Sequence, residues 1–214
     1  MSRILLITRP KYDETTHYLF NWSQEIIELA RKKSIQVLDL AKKRANRKEL
    51  TSIISKKQPS FIFFNGHGSD DSISGEDGNV LIKIGKNEKL LKSKIIYALS
   101  CKSARKLGPQ SIKTGAVAYL GYSDDFVFLY TPEKLSKPLN DELAALFLKP
   151  SNQLVRSLLK ENSINDSFNR AKALFIKNIQ GLLTSESSPY NYALPYLMWD
   201  LRHLTCLGDN ESSF

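Results

Sequence analysis

Five short apolar runs, at 3–8, 35–40, 60–65, 94–99 and 115–121, limit what this chain can fold into. The most constraining is Phe61-Ile62-Phe63-Phe64, which runs into Asn65-Gly66-His67-Gly68-Ser69. A strand with one wet face alternates polar and apolar residues, whereas an unbroken apolar run must be covered on both faces, as in a parallel sheet. Ile95-Ile96-Tyr97-Ala98-Leu99, ending in Ser100-Cys101, repeats the pattern. The expected fold is therefore a three-layer α/β/α sandwich with a mainly parallel central sheet. A strand around 203–207 joins it near one edge, and right-handed crossovers connect the strands.

Between these runs the spacing is helical. Thr16–Lys32 carries Tyr18, Leu19, Trp22, Ile26 and Leu29 at helical intervals, and Arg44–Lys57 reads as a basic helix with Leu50, Ile53 and Ile54 inward. Lys102–Lys113 is expected as a helix broken at Gly108-Pro109, and Val80–Ile82 as a short strand or hairpin arm. Past Pro138 come a helix through Leu143–Leu148, a second over Gln153–Glu161 capped by Pro150-Ser151-Asn152, and a third over Ser163–Gln180. Leu194–Leu204 leads into the final strand. Residues 1–214 show no repeat and no linker of domain-boundary character, so the expectation is one domain.

Each of the two central runs delivers a reactive side chain at its carboxyl end, where open α/β sheets bind ligands. Glycines flank His67, and Cys101 follows Ser100. If the strands are neighbours, the two side chains form a thiol–imidazole dyad. A free thiol is a weak nucleophile at neutral pH. A helix beginning at Cys101, with Lys102 and Arg105 beside it, would favour the thiolate, and His67 would shuttle the proton. The amides of Gly68 and Cys101 are candidates for an oxyanion hole. No third, carboxylate member is evident from spacing. Taken singly, a strand-end cysteine is a small buried hydrophobe and a histidine between glycines a turn residue; their paired placement is what points to catalysis.

These blocks carry a family resemblance. NGHGS after an apolar strand and YALSC at the end of another resemble the two catalytic blocks of the caspase-like (clan CD) cysteine peptidases, of gingipain and CHAT-domain type. GAVAYLGYSDDF resembles the strand and loop that follow the nucleophile there, and Cys206-Leu207-Gly208-Asp209 the closing strand. The resemblance spans roughly Phe61 to Asp209. It implies a cysteine endopeptidase with His67 as general acid/base, Cys101 as nucleophile and Gly68 as oxyanion donor. No recognition domain or maturation linker fits this length, so the expectation leaves activation and targeting to a separate partner or to oligomerisation.

Charge and composition bear on partners. The formal net charge is +9 with pI near 9.4, but the basic residues are spread along the chain, which reads as a lysine-rich solvated surface rather than a nucleic-acid footprint. The lysine pairs at 32–33, 42–43 and 56–57 each fall near a helix end, where they would complement the helix dipole. Two cysteines, Cys101 and Cys206, build no disulfide framework. No secretory signal or membrane-spanning stretch is visible, so the expected compartment is the cytoplasm. The histidines and cysteines lack metal-ligand spacing, and the loop after His67 lacks the lysine and hydroxyl of a phosphate-binding loop, so neither metal nor cofactor is expected.

Acidic residues crowd the loops expected to rim the dyad: Asp70, Asp71, Glu76 and Asp77 after His67, and Asp124 and Asp125 after the fifth run. Against a basic whole, these acids suggest cleavage after arginine or lysine, with Asp124 or Asp125 binding the cation and Tyr122 and Phe126 walling the pocket. The plainer alternative is loop solvation, or binding of a cation such as calcium. The expected partner is thus a protein or peptide substrate. Two other classes compete: a catalytically silent CHAT-like interaction module and a basic nucleic-acid-binding protein.

Overall fold

The apolar runs become adjacent strands of one sheet. The structure, a computed structural model, describes residues 3–185 and 187–214. Its strands are β1 (Ile4–Arg9), β2 (Gln36–Ala41), β3 (Phe61–Asn65), β4 (Gly68–Ser69), β5 (Ser72–Ser74), β6 (Val80–Lys83), β7 (Ile95–Leu99), β8 (Ala118–Tyr122) and β9 (Leu204–Gly208). Its helices are α1 (Glu14–Trp22), α2 (Gln24–Lys32), α3 (Arg47–Lys57), α4 (Leu107–Lys113), α5 (Glu142–Leu159), α6 (Ile164–Leu183) and α7 (Leu194–His203). The main sheet runs in the order β2-β1-β3-β7-β8-β9, parallel throughout except for β9, which pairs antiparallel with β8 at the edge. The short strands β4, β5 and β6 form a separate antiparallel sheet that grows out of the loop after His67.

Strand side chains alternate between faces, and here both faces are buried. Leu5, Ile7, Phe61, Phe63, Tyr97, Leu120 and Tyr122 belong to the core shared with α1, α2, α5, α6 and α7. Leu6, Ile62, Phe64, Ile96, Ala98 and Tyr119 face the other way, onto Leu50 and Ile54 of α3, Leu107 of α4, and Ile73, Leu81 and Ile82 of the small sheet. This is the three-layer arrangement that unbroken apolar strands require.

Several helix limits differ from those the spacing predicts, each for a local reason. The Thr16–Lys32 stretch is two helices meeting at Ser23, the first starting at Glu14 and capped by Asp13, whose side chain accepts from Thr16 N–H. Residues 42–44 form a separate single turn, and Asn46 caps α3 by accepting from Glu49 N–H at 3.0 Å. Lys42 and Lys43 therefore precede the amino end of a helix, where cations oppose the dipole, whereas the pairs at 32–33 and 56–57 sit at carboxyl ends as expected. Pro150 does not divide two helices: α5 runs through it. Its ring deprives the Leu146 carbonyl of a partner, and Asn178 Nδ2 of α6 supplies one at 2.7 Å.

Candidate active site

Parallel pairing of β3 with β7 puts Asn65 opposite Leu99. His67 and Cys101 each lie two residues beyond that pair, so they leave adjacent strands at the same level of the sheet's carboxyl rim. Gly66 turns the chain out of β3 with φ +141°, and a Cβ there would lie 2.6 Å from the Ser74 carbonyl oxygen. Gly68 is equally confined: its Cβ would come within 2.7 Å of the Cys101 carbonyl oxygen. The histidine and cysteine loops therefore touch through their backbones, and glycine is what lets them approach.

A carboxylate completes the constellation. Asp13, just past the carboxyl end of β1, accepts a hydrogen bond from His67 Nε2 at 2.6 Å through Oδ2. Its other oxygen, Oδ1, accepts from Thr16 N and Thr16 Oγ1, each at 2.7 Å, closing the cap of α1. Burial raises the Asp13 pKa, but the bonds from Thr16 and His67 outweigh it and hold the carboxyl below its ordinary value. An ionised carboxylate only accepts, so Nε2 carries the proton and Nδ1 is the nitrogen left to take another. Tyr12 stands edge-on to the imidazole, ring centroids 6.0 Å apart. Beside Asp13 runs a groove of about 690 Å³, lined by Lys11, Tyr12, Glu14, His17, Pro132 and Leu135 among others.

The surroundings of Cys101 differ from the expectation. No helix begins there: residues 101–106 are turns, Lys102 has φ +58°, and α4 starts at Leu107. The reason is tertiary, because Lys102 N–H donates to the Asp124 carbonyl at 2.9 Å, Ala104 N–H to Tyr122 at 3.0 Å and Leu107 N–H to Asp70 at 2.9 Å. Without a helix terminus, burial pushes the Cys101 thiol up to about 11, and the Asp125 charge adds to this, while Lys102 opposes it. The thiol donates to the Phe126 carbonyl at 3.7 Å.

That carbonyl belongs to a strap, residues 124–130, drawn across the rim. Trp199 Nε1 donates to the Asp125 carbonyl at 2.9 Å, and Asp200 Oδ1 accepts from Val127 N–H at 3.0 Å. Asp200 is fully buried, and its Oδ2 has no partner among the described residues. Burial lifts its carboxyl well above the ordinary range against the single bond from Val127.

No protein-family model matches the sequence, and no curated protein matches it. Solved structures do. The Arg-specific cysteine proteinase gingipain R (RgpB) superposes with a TM-score of 0.66 at 11% identity, over 99% of this chain and 47% of that one. The complex of Porphyromonas gingivalis RgpB pro- and mature domains gives 0.62 at 13% identity, over 98% and 47%, and a structure described only as a protease gives 0.59 at 16%, over 99% and 48%. The chain has a caspase-like fold. At these identities the likeness is one of fold alone, and this chain spans about half the length of the chains it matches.

Within the caspase-like fold, the remaining site candidates fall into two groups. Asp124 and Asp125 do lie next to Cys101, but Lys102 Nζ is 2.9 Å from Asp125 Oδ2 and 3.9 Å from Asp124 Oδ1. Tyr122 is not a pocket wall: it is 0% exposed and packs on Phe126 inside the core, its hydroxyl 3.3 Å from Ser151 Oγ. Three of the four acids after His67 are already engaged. Asp70 faces Lys106 at 3.0 Å, Asp71 faces Lys83 at 3.3 Å, and Glu76 accepts from Lys11 N–H at 2.7 Å. Among the described residues no group of three or more histidines, cysteines or acids could hold a metal ion, and no helix is long and apolar enough to cross a membrane. Asp13 and Asp200 are the residues that sequence reasoning missed. The signal for Asp13 was present as Asp13-x-x-Thr16 just after the first strand, a helix-start pattern; nothing local marks Asp200.

Proposed function

We propose that this chain is a cysteine endopeptidase of the gingipain and CHAT kind, acting in the cytoplasm, where its two free cysteines stay reduced. The observation that carries the reading is the alignment of Asp13, His67 and Cys101 on the ends of three consecutive strands, β1, β3 and β7. His67 takes the Cys101 proton as sulfur bonds to the substrate carbonyl carbon, and the Gly68 and Cys101 amides receive the oxyanion. The carbon–nitrogen bond then breaks, with the proton passing from His67 to the departing amine. Water, deprotonated by His67, finally releases the acid from the thioester. Because the resting thiol is neutral, proton transfer accompanies attack rather than preceding it. Asp13, holding the imidazole by Nε2, stabilises the imidazolium that forms.

The side chain taken before the scissile bond is basic in this reading. Lys102 sits closer to Asp125 than to Asp124, 2.9 Å against 3.9 Å, so Asp124, whose Oδ2 has no partner among the described residues, is the carboxylate offered to arginine or lysine. The arginine specificity of gingipain R is in line with this. A separate activating or targeting protein fits the covered thiol.

The test pairs peptide substrates differing only in that residue with an electrophilic thiol probe, on wild type and Cys101→Ala. Turnover of arginyl or lysyl peptides should vanish in Cys101→Ala, and probe labelling should map to Cys101. Labelling should also climb about tenfold per pH unit above neutrality, as a high thiol pKa dictates. Labelling that is already maximal at neutral pH, or turnover that survives in Cys101→Ala, would remove the mechanism. A stable, correctly folded protein that never turns over any peptide would favour the silent interaction module.

A further inference from the structure

Lys42, Lys43, Arg44, Arg47 and Lys48 put five exposed cations into seven residues. They follow the carboxyl end of β2 and so occupy the same rim of the sheet as His67 and Cys101, two strands over from β3. Neighbouring strands are about 4.8 Å apart, so the near edge of this cluster lies on the order of 10 Å from the end of β3. Arg47 and Lys48 open α3, where the exposed N–H groups already carry partial positive charge. Glu49 is the one acid in that first turn, and its contact with Arg44, 3.5 Å long and solvent-exposed, does little to offset the cluster. A cationic concentration that opposes its own helix dipole is electrostatically unfavourable alone and is relieved by an anionic partner.

The cluster is also wired to the candidate site. The Ala45 carbonyl, inside it, accepts from Glu76 N–H at 2.9 Å, and two residues earlier Ser74 N–H donates to the His67 carbonyl at 2.9 Å. Lys11, which lines the groove beside Asp13, and Lys42 both reach over the Phe20 ring, at 5.1 Å and 5.9 Å from its centroid, so cations continue from the groove to the cluster.

We propose that this cationic rim is a docking surface for an acidic segment of the polypeptide being cleaved; the substrate part of this rests on the peptidase reading above. At about 3.3 Å per extended residue, the acids would stand roughly three to six residues from the scissile bond. A single-stranded nucleic acid fits less well. Phe20, the ring that Lys11 and Lys42 reach, is already covered by them and by Arg9, so it offers no free face for a base to stack on.

The test uses full-length Cys101→Ala protein and a fluorescent peptide bearing a run of glutamates, with oligouridylate as the competing probe. Replacing Lys42, Lys43, Arg44, Arg47 and Lys48 by Gln should weaken peptide binding about tenfold at low salt. The difference should disappear near 1 M salt, where charges are screened within ~3 Å. The control variant Lys86→Gln/Lys89→Gln/Lys92→Gln should bind like the parent. With active protein, an acidic flank on a cleavable peptide should lower KM and leave kcat alone. Equal loss in the control, unchanged binding in the rim variant, or tighter binding of oligouridylate than of the peptide would each overturn the proposal. Rim-dependent peptide binding without any cleavage would leave the docking surface standing and remove the peptidase reading instead.

Discussion

Asp13 does two jobs with its two oxygens, and they can be separated. Oδ1 closes the cap of α1 and Oδ2 holds His67. Asparagine caps a helix about as well as aspartate but cannot stabilise an imidazolium, and its amide can turn the histidine tautomer around. Asp13→Asn should therefore keep the cap and lose only the charge-dependent part of Asp13's stabilisation, a smaller fall in melting temperature than in Asp13→Ala, while turnover falls by about 100-fold or more. Asp13→Ala should lose the turnover and also ~1 kcal/mol of stability. Calorimetry beside kinetics checks both; a large stability loss in Asp13→Asn would mean the charge serves the fold rather than the site. His67 and Cys101 were legible in the sequence because glycines and strand ends announce them. Asp13 was hidden because a cap residue looks purely structural. Tyr122 was misplaced for want of a count: two residues after the buried Leu120, it must share that face of β8.

At the scale of elements, the central strands were readable because β7 is apolar throughout and β3 is apolar up to its last residue, Asn65, which needs no tertiary information. The helices were misjudged where a distant partner decides. Ser23 splits one, the bonds from Lys102, Ala104 and Leu107 unwind the start of another, and Asn178 lets α5 continue past Pro150. The last case makes a sharp prediction. Asn178→Ala leaves the Leu146 carbonyl without its partner and should cost about 1–2 kcal/mol. In a Pro150→Ala background the backbone supplies the missing N–H, so the same change should cost little. A double-mutant cycle in denaturant measures the difference; additive effects would show that Asn178 contributes packing and nothing more.

For the molecule as a whole, two carboxylates pull stability in opposite directions as pH changes. Asp13 sits below its ordinary value in the fold, so its contribution is present above the unfolded pKa and lost as pH falls. Asp200 sits above it, so its contribution is complete in acid and lost as pH rises. Asp200→Asn keeps an acceptor for Val127 and removes the titration. It should raise the melting temperature at pH 7 more than at pH 4, by ~2–4 °C for each kcal/mol recovered. Equal shifts at the two pH values would mean that Asp200 does not titrate in this range. The strap that Asp200 and Trp199 hold also has a consequence in time. These anchors lie about a hundred residues after Cys101, so a ribosome adding roughly 5–20 residues per second delivers that thiol some 5–20 s before the helix that ties down the strap. Through that interval the growing chain carries its thiol first with no strap and then with an untethered one, and whatever meets it first on the way out of the ribosome meets it in that state.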